Sequence, residues 1–206
     1  MGASDTERDM RPRARIKSEI LLGVLLLAGH GWAQVREERP WEFNAWIAGA
    51  TGEETQNSFG QAQILSGGFS AGKVLTGEMG RGWRRGSLEY AFGVLPLFVQ
   101  LRPDKIYGGG FEPLILRWNS GLGGERMAPY IELAGGAART DANLPAGDTS
   151  DFNFTARGGG GIRLGGARRR GLDLGCYWWH ISNANLGVKN PEFNGIQVRL
   201  GYHWFR

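Results

Sequence analysis

An internal disulfide is excluded at the outset, because the 206 residues hold a single cysteine, Cys176, and one thiol does not by itself suggest a metal site. Long hydrophobic runs are scarce as well. After residue 33 nothing approaches the ~20 continuous apolar residues that a membrane-spanning helix needs, and no stretch keeps a helical period. There is no basic stripe interleaved with stacking aromatics, so nucleic acid is not an expected partner, and the formal charge of +4 is inflated by N-terminal arginines. What the chain has in excess is glycine. Its 35 glycines stand well above the ~7% of average usage, yet they show no collagen period and no low-complexity tract. They are interleaved with aromatic and β-branched residues, as glycines of strands and turns are.

The N-terminus reads as an export signal. Arg11, Arg13, Arg15 and Lys17 precede a short apolar run, Ile20 to Ala28, and Gly31-Trp32-Ala33 offers small residues for a signal peptidase. Cleavage is expected after Ala33, which leaves about 170 residues, enough for one domain over 34–206.

From Trp41 onward, strand-like segments separated by polar or glycine-rich breaks recur at fairly even spacing. Eight are expected: Trp41 to Ala50, Gln63 to Leu75, Ser87 to Leu101, Gly109 to Trp118, Met127 to Thr140, Phe152 to Leu164, Gly171 to Ser182 and Gly195 to Phe205. The last alternates strictly. Ile196, Val198, Leu200, Tyr202 and Trp204 share one face, and Gln197, Arg199, Gly201 and His203 share the other. One face suits lipid and the other a polar interior. The fold expected is therefore all-β, an eight-stranded antiparallel outer-membrane β-barrel, whose interior is filled by side chains and forms no channel. With the N-terminus on the periplasmic side, the connections at 51–62, 102–108, 141–151 and 183–194 face outward.

His180 and Ser182 stand two apart near the end of the seventh segment, so both project from one face, with Cα atoms roughly 6.5 to 7 Å apart. Leu172, Leu174, Cys176 and Trp178 share their parity, which turns the pair toward lipid near the outer rim. An imidazole beside a hydroxyl is the start of a nucleophile with its base. A polar dyad on the bilayer side is costly unless it serves something there, and the substrate best able to reach it is a lipid. Tyr177, Trp178, Trp179, Tyr202 and Trp204 either line a groove for that lipid or form the interfacial aromatic girdle, the girdle being favoured.

The run His180-Ile181-Ser182-Asn183-Ala184, a proline-containing loop and Gly195-Ile196 together resemble the signature of the lipid A 3-O-deacylase (PagL) family, also known as acyloxyacyl hydrolases. Leu95-Pro96-Leu97-Phe98-Val99, Pro129-Tyr130-Ile131-Glu132 with Gly135, and Asn153-Phe154 with Arg157, Gly159 and Gly161 are similar to that family's successive strands. The resemblance implies hydrolysis of an ester-linked acyl chain of lipid A, or lipopolysaccharide, with Ser182 as nucleophile and His180 as general base. It implies Asn183 and a loop N–H, that of Asn185, as oxyanion donors, and no metal or other cofactor. The family's orienting glutamate falls on Gln197 here, and Asn194, another alignment, is not acidic either. The third member is then Glu192 or Gln197, with Glu192 ranked first. Asn185 replaces a family glycine and is expected to take a left-handed conformation. A homodimer is compatible with this reading. The alternative is a catalytically inactive small barrel with a structural or adhesive role. A soluble barrel binding a ligand inside would need an apolar interior, which the final strand does not offer.

Overall fold

The computed structural model describes residues 41–53, 61–122, 126–165 and 170–206; the expected signal segment lies outside them. Eight strands follow one another: β1 (Trp41–Gly52), β2 (Gln63–Val74), β3 (Gly86–Arg102), β4 (Ile106–Ser120), β5 (Met127–Thr140), β6 (Phe152–Leu164), β7 (Arg170–Ser182) and β8 (Phe193–Phe205). Each pairs antiparallel with the next, and β8 closes on β1, so the barrel has no unpaired sheet edge. The fifth and sixth strands have the bounds read from the sequence. The third and fourth run longer than expected, because Val99 and Gln100 find partners in Tyr107 and Ile106 and shrink the intervening connection. Their ladders shift register beside Pro96 and beside Pro113, which have no N–H to give.

Alternation decides every side chain's destination. Along β8, Gln197, Arg199, Gly201 and His203 are buried while Ile196, Val198, Leu200, Tyr202 and Trp204 are exposed, as the pattern predicts. The exposed apolar face continues around the wall through Ile47, Phe69, Val94, Leu116, Ile131 and Leu174, the surface a bilayer would solvate.

The interior is packed in two layers. Midway down sits an ionic network centred on Glu132, which meets Arg117 at 2.6 Å, Arg157 at 3.0 Å and Arg199 at 3.3 Å. Arg117 also reaches Glu89, Arg157 reaches Glu112, and Arg163 reaches Glu42. Tyr130 and Tyr177 share a hydrogen bond beside Asp173 and are ringed by the arginines. Space for them comes from the glycines of β6: a Cβ at Gly161 would stand 2.4 Å from the Tyr130 hydroxyl. Nearer the loop end, Ile64, Phe98, Ile106, Trp179, Ile181 and Phe193 form an apolar plug, completed by Leu144 from the β5–β6 connection.

Isolated buried charges are expensive in a low-dielectric wall, so removing one side of such a network is far costlier than never having built it. We expect Glu132→Gln to lower unfolding free energy in detergent by about 3 to 5 kcal/mol. Urea titration followed by the heat-dependent gel shift of folded barrels tests this; a loss within about 0.5 kcal/mol would show the network to be dispensable.

Candidate active site

The polar groups of the lipid face converge where β7 ends and β8 begins. His180 pairs across the ladder with Asn194, and Ser182 lies two residues beyond His180 as Glu192 lies two before Asn194. Same-face residues on adjacent strands are the closest neighbours a sheet provides, so the register itself assembles a square of four side chains. Ser182 Oγ is 3.0 Å from His180 Nε2. His180 Nδ1 is 2.8 Å from Asn194 Oδ1, and Asn194 Nδ2 donates to Glu192 Oε2 at 3.3 Å. His180 and Ser182 are half-buried on the lipid-facing side.

Alternate residues hold this patch from within. Trp179, Ile181 and Phe193, which interleave with the four, are buried in the apolar plug, and the Trp179 ring meets Phe98 and Phe193 edge-on at 6.0 and 5.8 Å. A site whose backbone is locked by core packing keeps its geometry without help from substrate. The β7–β8 loop is likewise tied. Asn183 is buried, its Nδ2 donates to the Lys189 carbonyl, its N–H donates to Asn190 Oδ1, and its Oδ1 accepts the N–H of Asn185. Ala184 and Asn185 both adopt left-handed conformations, with φ of 51° and 64°. Lys189 N–H donates to the Asp148 carbonyl, so the loop leans on its neighbour between β5 and β6.

Below the hydroxyl an apolar groove of about 420 Å³ runs down the outer wall, between Leu116 and Leu133 on one side and Trp178 and His180 on the other. It exists because Gly135, Ala156 and Gly158 raise little or no side chain between those walls. They line up across β5 and β6, where Gly135 pairs with Ala156, and Ala156 pairs with His180. A Cβ built on Gly135 would find no atom within 4 Å.

The residues expected from sequence are thus distributed as follows. His180 and Ser182 are hydrogen-bonded on the lipid face. Glu192 joins them at one remove, since the atom on the imidazole belongs to Asn194. Gln197 points into the barrel and donates to Ser66 Oγ at 3.4 Å, so it does not orient His180. Asn185 has its left-handed backbone, but its N–H and the Asn183 amide are both bonded within the loop. Of the five aromatics expected at the surface, Tyr177 and Trp179 are interior because their parity is odd, and Trp178 lines the groove. Asn194, set aside in the sequence because it is not acidic, is the partner of the imidazole. Its even number placed it with Ile196 and Val198 on the lipid face, whereas Gln197 had the wrong parity. Among the described residues no cluster of potential metal ligands occurs.

A closed eight-stranded barrel with an apolar girdle and a histidine–serine pair facing lipid belongs among the small outer-membrane barrels. The lipid A 3-O-deacylase (PagL) family model matches residues 31–203, and the chain belongs to that family. The crystal structure of the outer membrane enzyme PagL is similar to it at 15% identity with a TM-score of 0.52, over 77% of this chain and 97% of the other. Neisserial surface protein A is similar at 16% identity with a TM-score of 0.50, over 81% of this chain and 96% of the other. No curated protein gives a significant match.

Filling the groove should separate recognition of a long chain from reactivity. Gly135→Leu has room to fold, and it is expected to slow cleavage of a long-chain acyl ester by about tenfold or more while a short-chain ester changes by less than about twofold. Kinetics on the two esters in the same detergent check this, and equal losses on both would remove the groove from the account.

Proposed function

We propose that this protein is an outer-membrane serine-type esterase that removes an ester-linked acyl chain from lipid A. The observation that carries the reading is the Ser182–His180 hydrogen bond, at 3.0 Å, at the head of an apolar groove on the lipid-facing wall. Membership of the deacylase family supports the same class of substrate.

In this reading the acyl chain lies along Leu116, Leu133 and Trp178 and brings its ester carbonyl beside Ser182. His180 Nε2 takes the hydroxyl proton as Oγ attacks the carbonyl carbon. The tetrahedral intermediate collapses by breaking the bond to the sugar oxygen, which leaves with the proton returned by His180. A water molecule, deprotonated by the same nitrogen, then releases the fatty acid and regenerates the serine. Asn183 and Asn185 are the proposed oxyanion donors. Each already satisfies an acceptor within the loop, so this role requires the loop to exchange those bonds for the substrate oxygen. A donor of this kind is worth about 2.7 to 4 kcal/mol in known hydrolases.

A neutral amide at His180 Nδ1, where a carboxylate would stabilise an imidazolium more strongly, favours the second reading of a barrel with a structural or adhesive role and no turnover. The two readings differ in one experiment. Produced in the outer membrane of a Gram-negative host, the protein is expected to remove one acyl chain from lipid A, as seen by mass spectrometry, and Ser182→Ala to leave lipid A intact. Unmodified lipid A with a correctly folded barrel would leave the silent barrel standing.

A further inference from the structure

We infer that Glu192 and Asn194 form a polarity relay that fixes the proton on His180, with Glu192 setting the direction of every hydrogen bond up to the Ser182 hydroxyl. The proposal deepens the esterase reading and rests on it for its kinetic consequences, whereas its structural consequence can be read without any substrate.

What each group can give and accept fixes the chain of hydrogen bonds. A carboxylate accepts and does not donate, so the face of the Asn194 amide turned toward Glu192 Oε2 must be its NH2. The amide's carbonyl oxygen is then forced toward His180, and at 2.8 Å from Nδ1 it can only accept, so the neutral imidazole carries its proton on Nδ1. Nε2 is left with a lone pair and can only accept, which turns the Ser182 O–H toward it across 3.0 Å. That is the tautomer a general base needs, and the opposite one leaves a serine hydrolase with an intact site and little activity. An amide alone cannot enforce it. Asparagine offers both a donor and an acceptor, and a half-turn about its last torsion would present NH2 to Nδ1 and move the proton to Nε2. The acid two residues away along the same face removes that freedom.

The strand pattern makes the arrangement a unit. Glu192, Asn194, His180 and Ser182 share the lipid face near the end of the wall. Glu192 and Asn194 are positioning residues, since neither touches the reacting atoms. The acid that a serine–histidine pair commonly holds in direct contact acts here through an interposed amide.

The direct test is the swap of acid and amide. Glu192→Gln lets residue 192 face Asn194 with either its oxygen or its NH2, and kcat on a long-chain ester is expected to fall by about tenfold or more with KM changed by less than about twofold. Adding Asn194→Asp to that variant restores an acceptor-only group against Nδ1, and at least half of the lost kcat should return. In parallel, 15N-histidine spectra of the folded barrel in detergent, with His180 assigned by a His180→Asn control, should show Nδ1 protonated in the neutral ring of the wild type. Glu192→Gln should bring in the Nε2-protonated form, and the swapped double variant should remove it. Nε2 protonation in the wild type, or an unchanged tautomer in Glu192→Gln, overturns the relay. Absence of turnover in the wild type with the expected spectra would instead reject the esterase reading and leave the relay intact.

Discussion

Closure of an antiparallel sheet into a barrel gives each wall residue one of two destinations, and a shift of one residue would exchange them for the whole strand. Outside, a bilayer tolerates few polar groups; inside, the charges have only one another. Glu132 with Arg117, Arg157 and Arg199 can exist only because the odd- and even-numbered faces of β4, β5, β6 and β8 are sorted in this way. The same sorting leaves His180, Ser182, Glu192 and Asn194 together on the lipid side, where four polar side chains would be a liability if they did not bond to each other. Their mutual satisfaction near the end of the wall makes a polar patch compatible with the membrane.

The polar patch and the apolar plug are coupled through neighbouring residues in the chain. Trp179, Ile181 and Phe193 point into the apolar plug, and His180 and Ser182, which alternate with them, face lipid joined by a hydrogen bond. Leu144 brings the β5–β6 connection into that plug, and the contact from Lys189 to the Asp148 carbonyl joins the two loops above it. The site therefore stands over the apolar plug of the barrel interior, although its side chains face the other way. The groove is the complement of this packing: small residues on β5 and β6 leave the outer wall hollow where an acyl chain would lie.

Much of the architecture was legible because period-two alternation is strong in β7 and β8 and the breaks between strands are rich in glycine and polar residues. Met127–Thr140 and Phe152–Leu164 needed nothing more. Extension of β3 and β4 was not legible, since the pairing of Val99 with Tyr107 depends on a partner strand and not on local pattern. The histidine–serine pair could be read from spacing alone. Its third member could not, because the pairing of His180 with Asn194 is a property of register, and parity, which turns Gln197 inward, does not say which residue faces the imidazole. Glu192 lies near the pair, and its place behind the Asn194 amide emerges only from the side-chain geometry.

The account stands or falls on whether Ser182 is a nucleophile at a lipid-facing site. Treatment of the folded barrel with a long-chain alkyl phosphonate ester, followed by peptide mass spectrometry, measures this directly. The account predicts one stoichiometric adduct on Ser182, strongly reduced in His180→Asn and in Gly135→Leu. No adduct, or an adduct on another residue with Ser182 unmodified, would contradict it.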